Sequence, residues 1–365
     1  MTDQMRSISA GVLTTVLLCA LILFAAFPDL HKRALDVAGQ ITEPLPPDLE
    51  TVQVPENRES MLEAIEKNTA MLPEDSKMPG QLRIAVPEGD GNINVENDYV
   101  NRVLHISLKG AKEDYFDTDP PVGTVEHIRN IYFEYQKGEA RIDVNLDSIY
   151  EAQTIRQDGY LYISFVEPRK LYDRIVVIDP GHGGRDKGAG EWSRPEKDIN
   201  LNIVLRMKEL FDESDADIGV YYTRLSDREV SVYDRAALAE ELSADLFLSV
   251  HNNSLSDKGN TSVNGTEVMY KTTDETGASA VFANRVLDHL TEALGTRRIG
   301  IISGDNIHVV RTAEMPVALA EIGFMTNPAE LQKLLDPEFQ EKAARALYEA
   351  VMETVEEMDR EPETP

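Results

Sequence analysis

Between Leu82 and Val166 apolar residues recur at every second position. Leu104/Ile106/Leu108, Ile131/Phe133/Tyr135, Ile142/Val144/Leu146 and Leu161/Ile163/Phe165 each alternate with polar neighbours, the period of strands with one buried face. Gln136-Lys137-Gly138-Glu139 supplies a hairpin turn between two of them. Residues 81–168 are therefore expected to form a small antiparallel β-sandwich. From Leu171 to Met358 the pattern changes to short apolar runs alternating with segments of helical period. Strands are predicted at Arg174–Ile178, Ile218–Thr223, Leu246–His251, Gly265–Lys271, Ile307–Arg311 and Val317–Glu321. Helices are predicted at Glu196–Phe211, Val232–Leu242, Ala278–Leu294 and Phe339–Glu357. This alternation predicts an α/β domain, a mostly parallel sheet covered by helices. In such sheets functional groups gather at the carboxyl ends of the strands.

The amino-terminal pattern differs again. After a tail at 1–7, Ile8 to Phe27 is twenty residues without a charge, enough at 1.5 Å per residue to cross a hydrocarbon core of roughly 30 Å. No small-x-small pair precedes its end, since Leu23 and Phe24 hold the −3 positions for cuts after Ala25 and Ala26. An uncleaved transmembrane anchor is the expectation, in preference to a signal peptide. Arg6 on one flank faces His31, Lys32 and Arg33 on the other, so charge does not set the orientation. Residues 28–80 read as a linker. Glu43-Pro44-Leu45-Pro46-Pro47 is stiff and extended, and only Arg58 to Asn68 has helical character.

Composition narrows the function classes. The 365 residues carry a formal net charge of −29, which excludes a nucleic-acid partner needing a basic surface. A single cysteine, Cys19, leaves no disulfide framework and no thiolate metal site.

The candidate chemistry lies at the strand ends. Arg174-Ile175-Val176-Val177-Ile178 stops at Asp179-Pro180-Gly181, and His182 follows among glycines. A turn residue with a polar tip is the plainer reading of such a histidine. His251 ends Leu246-Phe247-Leu248-Ser249-Val250, and Glu321 ends Val317-Ala318-Leu319-Ala320, where a carboxylate is costly to bury without a cation or proton donor. Glu196 is ambiguous. Ser193-Arg194-Pro195-Glu196 matches the Ser-x-x-Glu capping box, yet its place at a helix start, fourteen residues after His182, equally lets it reach a metal. Two histidines and a carboxylate without cysteine make an open zinc site with one position left for water. A second glutamate then serves as general base and later as acid to the leaving amine. His105 and His127 are isolated and read as edge or surface residues. His308, near Arg311 and Glu321, reads as a core or supporting histidine.

Four blocks together are specific. Ile178-Asp179-Pro180-Gly181-His182-Gly183-Gly184, Glu196-Lys197-Asp198-Ile199-Asn200-Leu201, Ser249-Val250-His251-Asn252-Asn253 and Glu321-Ile322-Gly323-Phe324-Met325-Thr326-Asn327 resemble, in order, those of the zinc-dependent N-acetylmuramoyl-L-alanine amidases. The resemblance covers residues 171–358, with a tail at 359–365. It implies Zn2+ held by His182, Glu196 and His251, with Glu321 as the catalytic carboxylate. The implied reaction is hydrolysis of the amide joining the lactyl group of muramic acid to the L-alanine of peptidoglycan stem peptides. Asp186, Asn253 and Arg311 are expected to support the ligands or meet the substrate, while Arg224, Asp227 and Arg235 read first as structural ion pairs. The β-sandwich resembles, much more loosely, the amino-terminal localisation (AMIN) modules of such amidases, and is expected to bind the wall or a division partner. Peptidoglycan as substrate places the catalytic domain outside the cell membrane, on a single-pass anchor. A zinc peptidase acting on the stem peptide and a non-catalytic wall-binding regulator are the competing classes; inactive relatives lose a ligand or the glutamate, and here none is missing. Relatives with a self-blocked site carry a long insertion after the second-histidine strand, whereas only Ser254 to Asn264 stands here.

Overall fold

The computed structural model describes residues 58–73, 78–87, 93–191, 194–256 and 261–360. The expected anchor at 8–27 and most of the expected linker lie outside the described residues. Among the described residues, no helix is long and apolar enough to cross a membrane.

Helix α1 (Arg58–Ala70) does not belong to a spacer. It lies on the β domain, where Ile65 is 1% exposed within the domain's core. Thr69 Oγ1 accepts from Gly123 N at 2.7 Å. The domain itself contains β1 (Leu82–Ala85), β2 (Ile93–Asp98), β3 (Val103–Lys109), the one-turn α2 (Tyr115–Thr118), β4 (Val122–Gly123), β5 (Ile128–Gln136), β6 (Glu139–Leu146), β7 (Glu151–Gln157) and β8 (Tyr160–Val166). Two antiparallel sheets result, ordered β4-β1-β8-β7 and β2-β3-β6-β5. Leu104, Ile106, Leu108, Ile142, Val144, Leu161 and Ile163 all face the shared core; burial of each such side chain stabilises by ~1.5–3 kcal/mol. The β5–β6 hairpin turns through Lys137 and Gly138, both at positive φ, the geometry whose twist matches that of the paired strands.

The second domain is built from β9 (Arg174–Pro180), the short β10 (Gly190–Glu191) and β11 (Arg194–Pro195), α3 (Glu196–Asp212), β12 (Ile218–Tyr222), α4 (Val232–Glu241), β13 (Leu246–Asn253), β14 (Thr266–Tyr270), α5 (Ala278–Leu294), β15 (Arg298–Ser303), α6 (His308–Thr312), β16 (Val317–Phe324), α7 (Pro328–Leu334) and α8 (Pro337–Arg360). The main sheet is ordered β12-β9-β13-β16-β14-β15. It is mixed: β14 runs antiparallel to β16 and carries β15 parallel to itself. Helices α3, α5 and α8 cover one face, and α4 and α6 cover the other. Ile149 of the β domain is buried in this second layer, with Tyr99 and Val100 packed against it.

One expectation needs correction. Ile307–Arg311 is not a strand: Ile307 is the cap and His308 the first residue of α6. A strand would send Val309 and Val310 to opposite faces, whereas both are buried in the same core layer. The strand of that region is β15, whose pattern is interrupted by Gly300 and whose residues are at best partly buried, as befits the sheet edge.

Candidate metal centre

The parallel ladder brings the strand ends together. His251 and Glu321 are paired across β13 and β16, and Glu267 of β14 pairs with Glu321 from the other side. Beyond β9 the chain bends through His182, whose φ of 62° is unfavourable for a side chain bearing Cβ and is held only by its surroundings. Arg235 supplies much of that hold. Its buried guanidinium pairs with the buried Asp179 carboxylate and donates to the carbonyls of Pro180 and His182. Arg224, 1% exposed, donates to the carbonyls of Pro180, Gly181 and Lys197 at 2.9 Å each. Asp227 accepts from Gly184 N and Lys197. Of these three, Arg235 is an ion-pair residue at depth, Asp227 at the surface, and Arg224 serves backbone oxygens.

At the top of α3 the carboxylate of Glu196 is 3% exposed. Its Oε1 lies 3.0 Å from His251 Nδ1 and its Oε2 lies 3.2 Å from His182 Nε2. It also accepts from Ala189 N at 2.8 Å and Asn252 N at 3.0 Å. This is not a capping-box carboxylate: the residue before the helix is Pro195, which makes no side-chain cap, and Ser193 lies outside the described residues. One ligand atom from each of His182, Glu196 and His251 lies within 4.8 Å of the other two.

The donor chemistry suits a cation. Asp186 Oδ2 takes the Nδ1 proton of His182 at 2.9 Å, which leaves Nε2 as a lone-pair donor facing a carboxylate oxygen. Two acceptors at 3.2 Å are held by whatever positive charge lies between them, a proton or a metal ion. Burial opposes protonation of His182, yet the hydrogen bonds and charges of Glu196 and Asp186 raise it to about 9. Burial likewise opposes ionisation of Glu196, but the two imidazoles hold it well below the usual carboxylate range. Gly188 leaves the space beside them open, since a Cβ there would lie 2.4 Å from Glu196 Oε2 and 2.5 Å from His182 Cδ2.

Glu321 has the opposite electrostatics. Its Oε2 is buried with no hydrogen-bond partner among the described residues. Burial, and then the charges of Glu196 and Glu267, push it well above the usual carboxylate range. A carboxylate so placed is a base with an unusual appetite for a proton.

The other expected residues are distributed differently. Asp186 meets His182 directly. Asn253 donates to Glu267 rather than to a ligand, in keeping with the bulge between His251 and Asn253. Arg311 lies on α6, where its guanidinium meets His308 Nδ1 at 3.4 Å. Among the described residues it has no hydrogen bond or ion pair to His182, Glu196, His251 or Glu321. Glu267 escaped the sequence reading; its only signal is a charge inside the strand Thr266-Glu267-Val268-Met269-Tyr270.

A mixed α/β sheet with imidazoles and carboxylates converging at its strand ends defines a hydrolase domain. Residues 176–353 match the N-acetylmuramoyl-L-alanine amidase family profile. The uncharacterized protein YqiI of Bacillus subtilis is 35% identical over 178 residues, which span 49% of this chain and 83% of that one. The N-acetylmuramoyl-L-alanine amidase LytC of the same organism is 34% identical over 177 residues, 48% of this chain and only 34% of LytC. The solved N-acetylmuramoyl-L-alanine amidase from Clostridium difficile 630 is 33% identical and covers 50% of this chain and 97% of its own, with a TM-score of 0.47. This chain belongs to the N-acetylmuramoyl-L-alanine amidase family, and the matched region is its amidase domain.

Proposed function

We propose that this chain is a zinc-dependent amidase that cuts peptidoglycan between the muramic acid lactyl group and the first L-alanine of the stem peptide. The observation that carries the zinc reading is the convergence of three buried or half-buried donor atoms within 4.8 Å, beside a carboxylate with an unpaired buried oxygen. His182, Glu196 and His251 would hold the ion. Bound there, zinc would supply Lewis-acid polarisation of the scissile carbonyl and a water molecule acidified to a pKa of about 7. The chain's own residues do the rest. Asp186 fixes the His182 tautomer, so that Nε2 stays available. Asn252 N and Ala189 N hold the Glu196 carboxylate in one orientation. Glu321 accepts the proton of the attacking water at Oε2 and returns it to the departing alanine nitrogen. Its raised proton affinity suits both halves of that transfer, since a carboxylate of ordinary acidity protonates an amine nitrogen poorly.

The β domain is read as a wall- or partner-binding module, and the 8–27 segment as an anchor that leaves the amidase domain outside the cell. The decisive experiment incubates the purified chain lacking residues 1–27 with peptidoglycan, with and without a chelator. New amino-terminal alanine and intact stem peptides are expected, lost on chelation and restored by zinc. Release of shortened peptides without free L-alanine termini would instead make it a stem-peptide peptidase.

A further inference from the structure

We propose that the β domain is part of the apparatus that positions the metal-holding loop, with Asp98 acting on His182 through Arg228. The proposal rests on the assignment of His182 as a ligand, but the contacts that carry it belong to the chain alone.

Asp98 ends β2, and its carboxylate pairs with the guanidinium of Arg228, in the connection between β12 and α4. The same guanidinium donates to Thr223 O at 3.1 Å, so one planar fork joins the β domain to the first residue of that connection. Asp98 is held below the usual carboxylate range: burial opposes this, but the bonds and charge of Arg228 and the bonds from Asn101 together outweigh it. On its inner side the connection touches the His182 loop without slack. A Cβ on Gly183 would lie 2.2 Å from Arg228 O, and one on Gly184 would lie 2.7 Å from Glu229 N. Asp227 accepts from Gly184 N at 2.8 Å, and Lys197 donates to Gly184 O at 2.9 Å and to Asp227. The two residues after His182 thus lie against the backbone of Arg228 and Glu229 and the carboxylate of Asp227, and a shift of Arg228 passes directly to them. His182 is sensitive to such a shift because its backbone is already in the left-handed region.

Docking of the β domain does not depend on Asp98. The Tyr99 ring meets Tyr221 edge-on at 4.8 Å, and both hydroxyls donate to Glu151, at 3.0 and 2.6 Å. Arg102 and Ser148 bond Glu241 at the far end of α4, and Ile149 is 4% exposed in the common core. Loss of one charge at Asp98 therefore frees Arg228 while the domains stay joined. Positioning and docking are separable by mutation.

The test uses the full chain and three readouts: zinc affinity by chelator competition, amide exchange of residues 182–188, and the split between kcat and KM. Asp98→Asn is expected to weaken zinc binding by about tenfold, the size seen when an outer support of a metal ligand is removed. Gly183 and Gly184 amides should exchange faster, and kcat should fall with KM unchanged. Asp98→Glu should recover most of each change. Arg102→Ala, which touches only the distant anchor, should leave zinc affinity and these amides as in the parent. Wild-type zinc affinity and loop exchange in Asp98→Asn would overturn the proposal, as would identical changes in Arg102→Ala. If Asp98→Asn does not fold, Arg228→Lys, a cation without the fork, gives the same readings. If His182→Ala keeps its zinc while Asp98→Asn still loosens 182–188, the ligand assignment fails and the link between domain and loop stands.

Discussion

Metal uptake at this cluster must displace a proton, and the geometry says how tightly that proton is held. His182 Nε2 faces Glu196 Oε2 at 3.2 Å while Asp186 occupies Nδ1, and the imidazole titrates at about 9 instead of 6.5. Protonated His182 is no ligand, so zinc affinity should rise with pH until about 9 and level off above it. Between pH 8 and pH 6, one proton with that pKa lowers apparent affinity by about 90-fold, whereas an unperturbed histidine would lower it by only about fourfold. Competition against a fluorescent chelator of calibrated pH dependence measures this on the intact chain. Asp186→Asn removes one of the two carboxylates that raise His182, and should flatten the dependence. A loss of about fourfold in the parent protein would refute the reasoning, because the imidazole and carboxylate would then not be sharing a proton in the metal-free state.

Four further outcomes follow from the same geometry. Glu321→Gln should keep zinc and lose ~10²–10⁴-fold in turnover; loss of zinc in this variant would make Glu321 a ligand. Glu196→Gln should weaken zinc binding, and retention of both metal and activity with a loss of only ~1 kcal/mol of stability would leave the residue a role only in stabilising the start of α3. Glu267→Gln removes a negative charge that raises Glu321, so Glu321 ionises at lower pH and the acidic limb of the kcat/KM profile should move down; an unmoved limb would show that Glu267 does not act on the base. Gly188→Ala places a methyl group 2.4 Å from Glu196 Oε2 and should abolish metal binding while the chain remains folded by circular dichroism; normal zinc content would show that the loop yields.

His182, His251 and Glu321 were legible because each ends an apolar run, where a sheet exposes its strand tips. Glu196 was legible only as a pair of alternatives, since a first-turn glutamate caps helices and binds metals from the same position. What escaped depends on contacts that periodicity does not encode. Ile307–Arg311 is β-branched enough to read as a strand, but burial of adjacent valines on one side required a helix. Glu267 matters through its cross-strand register, and register is a property of pairs of strands. The short helix α1 read as part of a spacer because its tie to the β domain rests on few side chains, chiefly Ile65 with Met61, Leu62 and Thr69 beside it. Asp98 and Arg228 are 130 residues apart, and surface charges at such separation leave no local trace.

Glu330 accepts from Gly265 N at 2.9 Å and from Phe324 N at 2.7 Å, and so fastens together the exit of the Ser254–Asn264 connection and the end of β16. The other end of that connection is held by Met325 N donating to Asn253 O at 2.8 Å. Both ends are thus secured by groups outside it. Each doubling of such a loop costs only ~0.6 kcal/mol of closure entropy. The position is therefore a natural graft point: a longer segment can be spliced in beside the strand ends, as cover, tether or recognition arm, while the strands beneath keep their registration.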